Sequence, residues 1–447
     1  MQTQRLTCEV CVIGAGSAGV GAGVMLGSMG IDTILVEREA APGGTSVYAG
    51  VNAWEPGVSG FGIHKELFDS LWQEGTACLN AYSKKVYQGP PYCAYVEKNP
   101  AITYERTISR LHGGGGRVVF EPAAMALQMD RLLRGRGVRT LYSTCFVECK
   151  VVHDRITEAL LYHPFSNSYI TVQADIFIDC SADIHLAQTA GCRTFLGRDD
   201  GVINGISHMY RIGRKAGKGY DDYLPDEEAV EECRRKKATV IFNEYPNGEY
   251  NINVLPLQEG ADFYRIPPSE REAHTTRLAQ AHWYFLQREL DLREYTLRYI
   301  FPRTGIRQGP NLIGRYSLSG KDIFAGYTRQ NKKETCIVFG DHSVDNHSEG
   351  EVEIGLKQPY GVPYECLLTN EIENLLVACR GSSFDATAAS SCRLSRTMMA
   401  LGEAAGVAAA QAVQAGCGVG EVDVERLRQK LQIDRLLSKF ERERVKE

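Results

Sequence analysis

The sequence predicts an α/β protein of three layers. A mostly parallel sheet carries helices on both faces and is interrupted by an inserted α+β domain. Three observations predict it. The chain opens on strand, Gly-rich turn, helix and strand within "EVCVIGAGSAGVGAGVMLGSMGIDTILVERE", the pattern of a β-α-β unit. An apolar strand and a Gly/Ala-rich helix return late in the chain, in "IENLLVACRGSSFDATAASSCRLSRTMMALGEAAGVAAAQAV". Between about residues 200 and 360 the composition shifts to charged helices and to loops rich in Arg, Tyr and Gly.

Taken in order, Thr7 to Ile13 read as a buried strand, Gly14 to Gly19 as a turn and Val20 to Gly30 as a closely packed helix. "IDTILVE" is the second strand. Residues 43–117 are irregular, with a helical patch near Lys65 to Gln73 and a turn at "HGGGGR" (112–117). Pro122 to Arg134 read as a helix, followed by several β segments that end on the apolar run Ala174 to Cys180. "PDEEAVEECRRKKA" and "SEREAHTTRLAQAHWYFLQREL" are charged helices, and 421–447 is an amphipathic helical tail. His274 and His282 fall on the second of these helices and read as surface or interface residues. The expected division is therefore a discontinuous nucleotide domain (1–200 and 361–420), an inserted substrate domain (201–360) and the tail.

The bulk numbers restrict the function classes. The net charge of −5 over 447 residues gives no reason to expect nucleic acid as a partner. No apolar run approaches the ~20 residues that span a membrane. The start "MQTQRLTCEV" lacks a basic segment followed by an apolar core. The fourteen Cys lie scattered, mostly in apolar segments, as small buried hydrophobes do. A reduced, cytoplasmic protein is expected. Cys8 and Cys11 form a C-x-x-C on the first strand and read as structural, and no metal site is expected.

The turn "GAGSAG" carries the chemistry. Gly14 permits the tight exit from the strand. Gly16 lets backbone approach a pyrophosphate, and Gly19 lets helix and strand pack closely. Ala15 and Ser17 lie between them, and phosphates favour the free N–H groups of the helix start. Glu37 ends the second strand, 23 residues after Gly14, where a carboxylate accepts ribose hydroxyls. "GGTS" (Gly43, Gly44, Thr45, Ser46) gives a second Gly turn able to follow a diphosphate. The late Gly/Ala-rich helix, with Gly402, offers close approach at the far end of a long cofactor. Together these favour FAD over NAD.

"VCVIGAGSAGVGAGVMLGSMGIDTILVEREAAPGGTS" resembles the FAD-binding signature of the glutathione-reductase-type flavoproteins. "IDCSADIHLAQTAGC", "PRTGIRQGPNLIGRYSLSGKDI" and the late strand–helix segment are similar to elements of one subgroup, the bacterial FAD-dependent oxidoreductases. The resemblance covers residues 8 to 415 or so. It implies a Rossmann-like FAD-binding domain and adds Arg38, Val147, Asp183 and Arg380 to the cofactor contacts. It also implies a redox reaction on a small organic molecule. Where the subgroup often has A-T-G-D-G, this chain has Cys180, Ser181, Ala182 and Asp183, with no Gly. His185 and Asp385 stand where the subgroup often has an acid and a His, and neither is given a role.

Other features narrow the chemistry. "GGTSVYAGVNAWEPG" lacks the C-x-x-x-x-C of disulfide reductases, and no second complete GxGxxG unit is present for NAD(P)H. The electron donor or acceptor is therefore left open, as is a homo-oligomer. No attachment His lies near the first turn, so non-covalent FAD is expected. Polar candidates for the substrate side cluster in "GIRQGPNLIGRY" (Arg307, Arg315), in "FGDHSVDNHSEG" (Asp341, His342, Asp345, His347) and at Arg393. The subgroup has a D-x-H matching Asp345 and His347. An Asp beside a His orients it and raises its pKa, as suits a proton shuttle. "YAGVNAWEPG" adds Asn52, Trp54 and Glu55 as possible substrate contacts. The reading is hydride transfer between substrate and flavin with His347, Asp345 and Arg307 as the catalytic set. The alternatives are an RNA-modifying flavoprotein and a non-catalytic FAD-binding subunit.

Overall fold

The computed structural model describes residues 3–55, 62–89, 91–104, 116–223, 225–348 and 353–444. The chain begins with β1 (Thr3–Ile13), α1 (Ser17–Ser28) and β2 (Thr33–Val36). Val10, Cys11, Val12 and Ile13 are all buried, as expected of a strand covered on both faces. β1 lies parallel to β2, with Ile13 opposite Val36. It also lies parallel to the strand Ser168–Asp179, with Ile13 opposite Asp179. Arg139–Leu141 extends the sheet beyond β2. On the other side, Leu375–Val377 runs parallel to Phe177–Asp179, so the late strand joins this sheet. The antiparallel strands Cys145–Val152 and Arg155–His163 complete it.

Three chain crossings leave this sheet at one level: after Ile13, after Val36 and after Asp179. Open α/β sheets bind ligands beyond the carboxyl ends of their strands. α1 packs on the long helix Ser395–Ala415 through small residues. A Cβ on Gly21 would lie 2.3 Å from Met399 O, and one on Gly406 2.6 Å from Ala22 O.

The second sheet has eight strands, in the order Tyr295–Ile300, Tyr210–Arg214, Tyr250–Leu255, Thr239–Glu244, Cys93–Lys98, Ala77–Tyr87, Gly116–Phe120 and Ala53–Trp54. Four of these strands come from residues 53–120, so the boundary expected at residue 200 does not separate the sheets. The reason is long-range pairing: Val240–Asn243 run parallel to Cys93–Val96. Alternation divides the faces. Val240, Phe242, Ile252 and Val254 pack under the helix Arg271–Glu289 with Trp283 and Leu286. Thr239, Ile241, Asn243, Asn253 and Leu255 face a cavity.

Further differences from the sequence reading concern single elements. His282 is buried and its Nδ1 lies 2.8 Å from Tyr210 Oη, so it is a core residue of this helix. Gly116 and Arg117 of "HGGGGR" belong to a strand, and residues 112–115 lie outside the described residues. Pro56 and Gly57 of "YAGVNAWEPG" also lie outside them. The tail is two helices, Val424–Lys430 and Ile433–Arg444, separated at Gln432 (φ 55°). No helix among the described residues is long and apolar enough to cross a membrane.

Candidate functional site

One cavity of about 1300 Å³ runs between the two sheets. Ligand sites for single small molecules span roughly 300–1,000 Å³, so this volume accommodates a dinucleotide with a substrate beside it. At the end formed by the first sheet, Gly14, Gly16, Ser17, Glu37, Arg38, Gly44, Thr45, Asp183 and Arg380 line it.

The two Gly turns meet here. Gly43 N–H donates to Ala15 O at 2.8 Å. Gly44 has φ 51°, and a Cβ there would stand 3.0 Å from Gly16 Cα. A Cβ on Gly16 would meet nothing closer than 4.0 Å, so this backbone borders open space. No side chain caps the start of α1, leaving its first N–H groups for an anion. Glu37 is buried, and its two oxygens accept Ala15 N–H at 2.6 Å and Glu39 N–H at 2.9 Å. Each oxygen keeps a second acceptor site. Burial raises its carboxyl above the ordinary value despite these bonds. Arg380 pairs with Asp183 and also donates to Ile306 O. Burial works to raise the Asp183 carboxyl, but the Arg380 guanidinium outweighs it and holds it low.

Two expected contacts are placed elsewhere. Val147 is 46% exposed and lies off the cavity, while its neighbours Thr144, Cys145 and Phe146 line it. The strand Cys145–Val152 passes the cavity only at its start. Gly402 sits under Ala18, whose O would be 1.8 Å from an added Cβ. It therefore serves helix packing, and the cavity is lined instead by Leu394, Ser395, Arg396 and Met398 at the start of that helix. Ala15, Gly19 and Gly43 shape the turns from behind the lining. The Gly-free turn after Asp179 keeps left-handed backbone all the same, with Ala182 at φ 70° and Ile184 at φ 50°.

The substrate side gathers Arg307, Arg393, Asp345 and His347 on the same cavity. His347 Nε2 stands 2.5 Å from Asp345 Oδ2. Arg393 donates to Asp345 O at 3.2 Å. Arg307 donates to Gly205 O and Ser207 Oγ, both at 2.8 Å. Among the described residues no carboxylate lies within ion-pairing distance of Arg307. Burial, reinforced by Arg307, pushes His347 down to about 4 although Asp345 pulls it up. This reverses the direction expected from the Asp–His pair alone. His347 is therefore neutral near pH 7, with Nε2–H directed at the carboxylate.

Other polar candidates separate into structural and cavity groups. Arg315 donates to Thr369 O, and Asp385 caps the helix Ala386–Cys392. Asn52 lines the cavity as expected, with its side chain tying Phe120 O to Asn251. Trp54, Glu55, His185 and His342 line the cavity. Sequence reasoning missed Arg117 and Tyr82, which also line it. The signal available was Arg117 standing immediately after a Gly run in an apolar strand. No three His, Cys, Asp or Glu side chains among the described residues are arranged to hold a metal.

A family model described as FAD dependent oxidoreductase matches residues 9–431. The 3-oxosteroid 1-dehydrogenase of Rhodococcus opacus is 28% identical over 233 residues, 49% of this chain and 44% of that protein. The 4-oxocyclohex-2-ene-1-carboxylate 5-dehydrogenase of Sinomonas cyclohexanicum is 38% identical over 56 residues, 12% of this chain and 10% of that protein. The chain thus spans less than half the length of these relatives. Among solved structures, a geranylgeranyl bacteriochlorophyll reductase-like protein from Thermoplasma acidophilum is 13% identical with a TM-score of 0.49, covering 99% of this chain and 86% of that one. A flavoprotein/dehydrogenase from Cytophaga hutchinsonii is 14% identical with a TM-score of 0.45, covering 96% and 82%. The residues present fit FAD: the open backbone at Gly16, the uncapped α1 and the buried Glu37 suit its diphosphate and ribose.

Proposed function

The chain belongs to the FAD-dependent oxidoreductase family, and from that premise we propose that it exchanges a hydride with a small organic substrate carrying a carboxylate or ketone oxygen. Bound FAD supplies the two-electron redox chemistry at its N5 atom. It is held without a covalent link by Gly14, Gly16, Ser17, Glu37, Gly44 and Thr45, with Arg38, Asp183 and Arg380 beside them.

The observation that carries the substrate class is Arg307. It is a guanidinium at the cavity wall with no carboxylate within ion-pairing distance among the described residues; Asp345 acts on it only from farther off, and a second cation, Arg393, stands beside it. A buried cation needs a compensating charge, and Arg matches a carboxylate in bidentate fashion. Burial and Arg393 lower Arg307, which still carries its charge at neutral pH. His347, neutral and oriented by Asp345, supplies a lone pair at Nδ1 that accepts a hydrogen bond from a substrate O–H and orients it. Both relatives named above are dehydrogenases of oxo compounds, which agrees with an oxygen function at the two arginines.

The experiment is a panel of hydroxy, oxo and unsaturated carboxylates mixed anaerobically with oxidised and with reduced holoenzyme. At least one member should change the flavin spectrum, and Arg307→Ala should abolish that change while FAD stays bound. An Arg307→Ala enzyme that reacts as the wild type would remove the anion site from the account.

A further inference from the structure

The cavity holds a second polar group, on the wall made by the inserted sheet. Arg117, 5% exposed on the strand Gly116–Phe120, reaches Glu55 with its Nη2 at 3.0 Å. Its guanidinium also contacts Tyr82 and stands 4.8 Å over that ring. The other Glu55 oxygen lies 3.1 Å from His342 Nε2. His342 Nδ1 lies 2.7 Å from Ser343 O. Ser391 Oγ donates to His342 O, and Tyr360 Oη lies 2.8 Å from Ser391 Oγ. The His342 main chain is thus held by Ser391, and its ring by the Nδ1 contact.

These contacts fix a proton count. A backbone carbonyl only accepts, so His342 Nδ1 carries a hydrogen. Nε2 and a carboxylate oxygen cannot meet at hydrogen-bond distance as two bare lone pairs. A further proton therefore lies between Glu55 and His342. Glu55, His342 and Arg117 all line the cavity that holds His347. Arg393 faces Glu55 electrostatically, as does His342 the Asp345 carboxylate.

We propose that Glu55 is a catalytic acid of this site, delivering to the substrate the one proton it shares with His342, with Arg117 as a positioning residue. The proposal rests on a small organic substrate occupying the cavity. In the reducing direction, hydride from the flavin forms a C–H bond at one substrate atom, and the π bond to the neighbouring atom breaks. That neighbour takes the proton as the Glu55 O–H bond breaks. This is the one proton the pair shares, moved onto Glu55 from His342 Nε2 as the transfer begins; it leaves Glu55 a carboxylate and His342 neutral with its hydrogen on Nδ1, and the pair regains one proton from solvent. In the oxidising direction each transfer reverses.

Two readouts on the FAD-loaded enzyme test it. The first is nitrogen NMR of enzyme labelled in its histidines, with the His342 signal assigned by its loss in His342→Asn. The Nε2 signal should report a proton shared with Glu55 in the wild type, and an Nε2 without it in Glu55→Gln, with the Nδ1 hydrogen present in both. An Nε2 that shares no proton with Glu55 in the wild type would overturn the proton store. The second is anaerobic reoxidation of dithionite-reduced enzyme by a cyclohexenone carboxylate as the probe. Glu55→Gln should slow it about 100-fold or more, as loss of a general acid does. Glu55→Asp should restore part of the rate, and FAD absorption should be unchanged throughout. Reoxidation of Glu55→Gln at the wild-type rate would overturn the proposal. A wild-type enzyme that no carboxylate of the panel oxidises or reduces would instead overturn the substrate reading, and the NMR result would still decide where the proton lies.

Discussion

Replacing Gly402 by Ala separates helix packing from cofactor contact. The added Cβ would sit 1.8 Å from Ala18 O and 2.6 Å from Ala18 C. Carbon–oxygen contacts below 3.0 Å do not persist, so α1 must retreat by at least about 1.2 Å from the long helix. Overpacking of this kind costs about 1–3 kcal/mol, and the better helix propensity of Ala returns roughly 1 kcal/mol. With Ala18 buried and backbone as the obstacle, the upper half of that range applies, leaving about 1–2 kcal/mol lost. The assay is thermal unfolding of FAD-free protein, where a drop of a few degrees is expected. FAD affinity should fall too, because Gly16 and Ser17 move with α1. A variant whose FAD-free form is as stable as the wild type would refute the packing argument and return Gly402 to the cofactor.

Further predictions follow from other sites. Glu37→Gln removes the charge that strengthens bonds to the ribose. At about 1.5–3 kcal/mol for hydrogen bonds to a charged group, FAD affinity read by flavin fluorescence should fall at least about tenfold, and an unchanged Kd would contradict it. Burial raises the Glu403 carboxyl to about 7, although it accepts Ile63 N–H at 3.1 Å. Its folded form holds a proton more tightly than the unfolded chain, so its contribution is lost as pH rises through about 7. Glu403→Gln should therefore match the wild type near pH 5 and exceed it by roughly 2–3 kcal/mol near pH 8, measured by denaturant unfolding. Equal stability at both would exclude the buried carboxyl. Ala182→Gly relieves a left-handed backbone and should stabilise by up to about 1 kcal/mol. Ile184→Gly relieves the same strain but empties a fully buried site, so it should destabilise by about 2 kcal/mol or more. Opposite signs in a melting experiment are required.

The parts of the molecule legible in the sequence are those set by local chemistry. The turn Gly14 to Gly19, the acid at Glu37 and the second turn at Gly43 and Gly44 need particular backbone conformations within a few residues. The return of the sheet at Leu375–Val377 was legible because a strand buried on both faces must be uniformly apolar. What was hidden depends on distance along the chain. Pairing of Cys93–Lys98 with Thr239–Glu244 joins segments that carry no shared pattern. Gly402 reads as cofactor-facing or helix-facing with equal ease until α1 is placed against it. The pKa direction of His347 is hidden too: Asp345, two residues away, is visible in the sequence, whereas the burial and Arg307 that outweigh it come from folding. The Glu55–His342 contact spans 287 residues and has no local signature.

The most direct test of the central claim is anaerobic absorbance of the FAD-loaded enzyme during addition of small oxo and hydroxy carboxylates. The account predicts that at least one bleaches the oxidised flavin, or restores the colour of the reduced flavin, in the wild type and not in Arg307→Ala. A flavin that dithionite reduces normally but that no such compound affects in either direction would contradict it.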